Sequence, residues 1–420
     1  MLKNKIKINN IYIKENLHLI IPILGLFIVT LLYLLRVNFL LHQDDFICHY
    51  KGGIQFLINP KYLYDNYCYY YLPSLAMLWD APLALFPLFE AHYINYFAKI
   101  ILVILFIREY NRVLILMDVK EKVHRFLFLI IISANYYVYH QFYMNQYKFI
   151  IAVIFVFIIR RELQYRRLKK DKDLKFYIVN YGLFLFAVGT YPFLIFIFLI
   201  YIFQNINYNE VFKKENIQKY GIVIIWFFIQ NIAFIFYPSL IFDFLNLYNK
   251  HNQHDRRAYI PLFYLREFTP LNPDQMEYFP YIMLTSVIFT CFITLILIIK
   301  KDLHIEKKFS YFALFSIFLS TYARRILVIY YPLSLFLLIP FMKQDKKGFD
   351  FIKDNKVFLI GFLSIALLSF MFPSETIFKY LPFLLEFPFL IFVYLRYLFL
   401  LCIFGSSLLI LHKKEIKKLK

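Results

Sequence analysis

Apolar residues run along this chain in long stretches separated by short basic segments. The first stretch extends from Leu17 to Leu41. Others fall near 92–107, 126–143, 147–160, 174–190, 192–208, 219–241, 280–299, 309–323, 326–342, 356–372 and 384–411. A run of about 20 mostly apolar residues has the length of a membrane-spanning helix. The pattern therefore predicts an all-α polytopic membrane protein of about 12 transmembrane helices, several of them short. The leader before the first run carries Lys3, Lys5, Lys7 and Lys14. That run is too long for a signal-peptide core and lacks a small-residue cleavage site, so it is expected to be an uncleaved anchor.

One apolar stretch stays outside this count. Residues 73–89, PSLAMLWDAPLALFPLF, contain Asp80 and two interior prolines, Pro82 and Pro87. Each proline removes a backbone donor and tends to break a helix, and a lipid-facing carboxylate is costly. Charge agrees. With 73–89 not crossing, the basic segments around 108–125, 160–175, 213–219, 300–308 and 343–356 fall on one side together with both termini. Basic residues favour the cytoplasmic side, so the termini are expected to be cytoplasmic, in a plasma membrane or an endoplasmic reticulum. Two long external loops result, near 42–91 and 242–279. Long loops rich in aromatic residues are usually functional, and the first is expected to carry amphipathic juxtamembrane helices. No internal repeat or linker is visible, and residues 1–420 read as one membrane domain.

Composition narrows the classes further. Hydrophobic residues make up 61% and charged residues 18%, more apolar area than a soluble globule of this length hides. The 47 Lys and Arg outnumber 27 Asp and Glu, for a net charge of +20. Because the basic residues sit between apolar runs, membrane lipids rather than nucleic acid are the expected partners.

The first external loop opens HQDDFICHYKGG. Asp44 and Asp45 stand just after the first run. Partial desolvation and mutual repulsion both raise a carboxylate pKa toward the range of a general base; a solvated pair at a helix end is the alternative. Gly-Gly, Asn-Pro and Leu-Pro breaks then punctuate short amphipathic pieces. Tyrosines at 62, 64, 67, 69, 70 and 71 suit a membrane interface or a sugar pocket. Asp80 is a further candidate, an acid within an apolar stretch.

The ordered set Asp45, Phe46, Tyr50, Gly52, Gly53, Leu63, Tyr64, Tyr71 and Pro73 resembles the polyprenol-phosphate-sugar-dependent glycosyltransferases. It is most similar to glycosyltransferase family 87 (the α-mannosyltransferase type) and, more distantly, to the GPI mannosyltransferase I family. A second match follows: Asn145-Gln146, a basic turn, then Tyr191-Pro192. It departs from the family's pattern, with Asn for Gly and Tyr for Lys. The resemblance covers 17–210 well and implies a catalytic module there. It implies the GT-C-like architecture, with 211–420 supplying further helices for the lipid donor.

The resemblance also implies an inverting transfer of a hexose, mannose by default, from a polyprenyl-phosphate donor to a lipid or glycan hydroxyl on the external side. Asp45 is the expected base and Asp44 the reserve. Arg324 and Arg325, two cations in TYARRILVIYYP, are expected to contact the phosphate, with Lys148 and Arg256-Arg257 as runners-up. Tyr50, Tyr64, Tyr71, Asp80, Asn145 and Gln146 complete the expected substrate-binding set. No cofactor and no metal are expected: His251 and His254 in HNQHD, with His42 and His49 flanking the acids, invite a metal reading, but loop histidines are far more often unliganded, and Asp44 and Asp45 are adjacent where related metal-using enzymes show a D-x-D-like pair. Cys48 and Cys68 share the loop and can be joined only where it is oxidising; Cys291 and Cys402 read as packing. The competing readings are a flippase or transporter of a polyprenyl-linked lipid, a polysaccharide polymerase or ligase, and a structural membrane subunit.

Overall fold

The computed structural model describes residues 19–20, 22–24, 46–65, 69, 71–133, 138, 148–204, 212–254, 279–319 and 327–341. These residues are mostly helical, with no strand among them. In chain order the helices are α1 (Phe46–Ile58), α2 (Leu88–Leu116), α3 (Lys122–Ser133), α4 (Phe149–Arg167), α5 (Leu174–Thr190), α6 (Ile195–Gln204), α7 (Lys214–Gln230), α8 (Ile232–Phe236), α9 (Ser239–His254), α10 (Phe279–Ile299), α11 (Ile305–Leu319) and α12 (Leu327–Ser334). Between α1 and α2 lies a stepped segment of three short turns, Pro73–Leu75, Ala76–Asp80 and Ala81–Ala84.

The expectation of a polytopic, GT-C-like membrane fold is corrected here. Among the described residues no helix is long and apolar enough to cross a membrane. The apolar runs break where backbone chemistry requires it. The run at 192–208 begins as the 3-10 turn Pro192–Leu194 and continues as the ten-residue α6. The run at 219–241 is cut at Asn231, which caps α7, and again at Tyr237-Pro238. The run at 326–342 is the eight-residue α12, with Pro332 inside it, followed by a 3-10 turn. The longest helix, α2, carries Glu90, Lys99, Arg108, Glu109 and Arg112 along its 29 residues, and α4 ends in RRELQYRR. The multi-pass location inferred from the same runs falls with them. The runs at 356–372 and 384–411, and almost all of 17–41, lie outside the described residues.

Helix α2 is the spine. Its buried side, Ala91, His92, Asn95, Tyr96, Lys99, Val103, Phe106, Tyr110 and Val113, follows helical spacing and packs chiefly on α4. The Tyr110 ring stacks on Phe336 at 4.9 Å, and its hydroxyl donates to the Pro332 carbonyl at 2.8 Å. Late chain is thereby fastened to early chain. A second layer is aromatic: Phe155, Phe184, Tyr201 and Phe309 meet in edge and stacked contacts of 5.0–6.1 Å.

Helix ends are defined by local chemistry. Asp173 caps α5 by accepting from the Phe176 amide at 2.8 Å, and α5 ends at Tyr191, held extended before Pro192 as residues preceding proline are. Helices α2 and α4 end in Schellman turns. Val119 N–H returns to the Leu114 carbonyl and Lys170 N–H to that of Tyr165. The left-handed positions, usually glycine, are filled by Asp118 and Lys169.

Candidate functional site

Helix α1 starts at Phe46, the residue after Asp45. Its inward face is Phe46, His49, Gly52 and Gly53. The Gly-Gly pair, expected to break the chain, lies inside the helix. A Cβ on Gly52 would stand 2.2 Å from the Tyr69 ring, and one on Gly53 would stand 2.4 Å from the Asp80 carbonyl oxygen. The missing side chains let α1 lie directly against Tyr69 and the stepped segment.

Asp80 ends the π-helical turn Ala76–Asp80, closed by the Ala81 N–H to the Ala76 carbonyl. Turns with this extra residue recur at functional sites. Pro82, which has no amide hydrogen to donate, follows two residues on. The Asp80 side chain is buried at 1% exposure. Its Oδ2 accepts from the Tyr69 hydroxyl at 2.8 Å and lies 3.3 Å from His49 Nδ1. Its Oδ1 has no hydrogen-bond partner. Burial, reinforced by Asp80, pushes the Tyr69 hydroxyl far above its ordinary pKa, so it stays a donor. The His49 ring lies against Tyr71 at 4.8 Å and edge-on to Tyr69. Cys48, between Ile47 and His49, is disulfide-bonded; the other cysteine of that bond is outside the described residues.

Helix α2 completes this wall. Asn95 accepts from Trp79 Nε1 at 3.1 Å. The His92 ring meets Phe46 edge-on at 5.4 Å. Burial, with help from the Lys99 charge, lowers the His92 pKa from 6.5 to about 4, so His92 is neutral at physiological pH. Lys99 is itself buried and lies 5.6 Å from the Tyr96 ring centroid.

Among the expected substrate residues, Tyr50, Tyr64, Tyr71 and Asp80 converge here. The Tyr50 hydroxyl donates to the Phe86 carbonyl at 2.8 Å and the Tyr64 hydroxyl to the Tyr71 carbonyl at 2.9 Å. Both bonds fasten the loop to itself. Tyr64 is also pushed far above its ordinary pKa, by burial and then by Asp243. Lys148, buried just ahead of α4, holds its ammonium 5.9 Å from the Tyr191 ring centroid. Tyr191 follows Gly189 by two residues, and Gly189 accepts from the Leu72 amide at 3.3 Å. A Cβ on Gly189 would strike the Ser74 hydroxyl. The end of α5 thus joins Lys148 to the same loop.

Asp44, Asp45, Asn145, Gln146, Arg324 and Arg325 lie outside the described residues, as do His42 and Arg256-Arg257 and the side chains of His251 and His254. Among the described residues no cluster of three or more His, Cys, Asp or Glu side chains is gathered for a metal. Sequence reasoning missed His92 and Lys99, met Tyr69 only as one of the loop's tyrosines, and met His49 only as a neighbour of the acids. The spacing of Phe46, His49 and Gly53 on one helical face was the available signal. No family model, no curated protein and no solved structure matches this chain.

Proposed function

We propose that the protein is an inverting hexosyltransferase. It moves a sugar, mannose by resemblance, from a polyprenyl-phosphate donor onto a lipid or glycan hydroxyl. One observation supports this reading above the others. The residues carrying the ordered resemblance, Phe46, Tyr50, Gly52, Gly53, Leu63, Tyr64, Tyr71 and Pro73, lie on one packed scaffold whose first helix begins immediately after Asp45. A base must be held within a fraction of an ångström of its working position, and the helix that follows Asp45 in the chain is fastened to its neighbours by His49 and two glycines.

In the proposed step the acceptor oxygen attacks the anomeric carbon and the bond from that carbon to the phosphate oxygen breaks. Asp45 takes the hydroxyl proton, with Asp44 as its reserve. The departing polyprenyl phosphate keeps the bonding electron pair, and its charge is met by Arg324 and Arg325. The test is incubation of purified protein with polyprenyl-phosphate-mannose and a total lipid extract, followed by mass spectrometry. A product heavier by one hexose, formed with equimolar release of polyprenyl phosphate, is expected. Absence of both across several lipid-phosphate-linked sugars would overturn the proposal.

A further inference from the structure

The turn between α10 and α11 has chemistry that glycosyl transfer does not use. Lys308, one turn into the 15-residue α11, is 0% exposed. Its Nζ has no hydrogen-bond partner. The nearest acid on its own helix is already engaged: Glu306 takes Arg166 Nη2 at 2.8 Å and Nη1 at 3.3 Å. The neighbouring cation Lys301 donates to the Phe203 carbonyl at 2.6 Å.

Helical side chains lean toward the N-terminus of their helix. Lys308 therefore leans toward the turn 300–304, and the charges that act on it, Lys301 and Asp302, belong to that turn. Lys301, Asp302 and His304 of that turn are exposed, while Leu303 between them is buried. The start of α11 adds backbone donors with no partner inside the helix and the positive end of its dipole. Beside Lys308 in the chain, Lys300, Lys301 and Lys307 bring positive charge and Asp302 and Glu306 negative charge, and Arg166 is held by Glu306. Burial and the Lys301 charge lower the Lys308 pKa from 10.5 to about 8. It still holds its proton at neutral pH; Asp302 acts on it from the turn, but no hydrogen bond reaches its Nζ, and burying such a charge is costly.

We propose that the turn between α10 and α11 is a seat for a phosphate-class oxyanion, with the Lys308 ammonium as its inner contact and the first amides of α11 as its rim. Helix N-termini with a convergent cation bind phosphate in this way. The same chemistry fits free phosphate and the phosphate of a lipid headgroup. The seat does not depend on the glycosyltransferase proposal.

The experiment uses the full chain in phosphate-free buffer. One arm titrates inorganic phosphate and follows heat and melting temperature. The other measures co-sedimentation with phosphatidylcholine vesicles with and without phosphatidic acid. Wild type is expected to bind in at least one arm, and Lys308→Met is expected to weaken that binding about tenfold or more. Asp302→Asn, which removes a competing negative charge, is expected to tighten it about threefold. Binding in the first arm identifies free phosphate as a ligand; binding in the second alone identifies a headgroup. Wild type that responds in neither arm, or binding that survives Lys308→Met unchanged, overturns the proposal. If Lys308→Met does not fold, Asp302→Asn decides: tighter binding upholds the seat and unchanged binding refutes it.

Discussion

Asp80 and Lys308 are buried to the same degree, yet their surroundings differ. Asp80 is met by a tyrosine hydroxyl and a histidine ring nitrogen, drawn from two other parts of the first loop. Lys308 is met by nothing that can accept a hydrogen bond. A carboxylate supplied with donors ties segments together, and its removal strands those donors. An ammonium without an acceptor weakens the fold until something from outside satisfies it. The difference separates a structural anchor from a vacancy for an anion, although both are single charged side chains in an apolar setting.

Four measurements bear on that contrast. The largest expected effect belongs to another acid, Asp45, proposed to act on substrate and not on the fold. Asp45→Asn should lower turnover by about 10³-fold with an unchanged melting temperature; a comparable loss of stability would place it with Asp80. Next, Asp80→Ala should cost about 4 kcal/mol by leaving Tyr69 and His49 buried without their acceptor. A denaturant titration showing less than about 1 kcal/mol would erase the distinction between the two sites.

The third measurement is an acid titration. In the fold His92 takes up its proton only at about 4, whereas in the open chain it does so near 6.5. Between those values the unfolded chain holds more protons, so stability falls as pH falls, by about 3 kcal/mol at most. His92→Gln should flatten that decline. Lys308 gives the mirror case on the alkaline side. It loses its proton at about 8 in the fold and near 10.5 unfolded. The unfolded chain again holds more protons between these values, so stability climbs as pH rises from 8 toward 10. Lys308→Met should remove the climb and add about 2 kcal/mol at pH 7 without phosphate. A variant that is less stable than wild type would show that the ammonium is already satisfied.

Helicity and the interruption of 73–89 at its prolines were readable from the residues, because apolar spacing and missing amide donors are local properties. Among the described residues the expected membrane spans are not found, although the apolar runs have the right length. Run length does not register where the chain turns. Asn231, Pro238 and Pro332 divide those runs into helices too short to cross, and the buried polar face of α2 (His92, Asn95 and Lys99) packs against protein. The Gly-Gly pair misled for a related reason: glycine marks a turn when the backbone bends and a close contact when a neighbour presses in, and only tertiary structure separates the two. The same holds for Tyr50 and Tyr64. Their hydroxyls end on carbonyls 36 and 7 residues away, pairings with no signature in composition. Asp80 was legible as an unusual acid, but Tyr69 as its donor was one tyrosine among several in the loop.

The bond from Tyr110 to Pro332 spans 222 positions. During synthesis the spine helix must therefore wait, with Tyr110 open to water, until the ribosome has delivered the segment around Pro332. Contacts so remote in sequence slow maturation and prolong the interval in which greasy surfaces are open to aggregation or chaperones. A nascent chain stalled shortly before residue 332 should remain protease-sensitive around Tyr110, and one released a few dozen residues later should not.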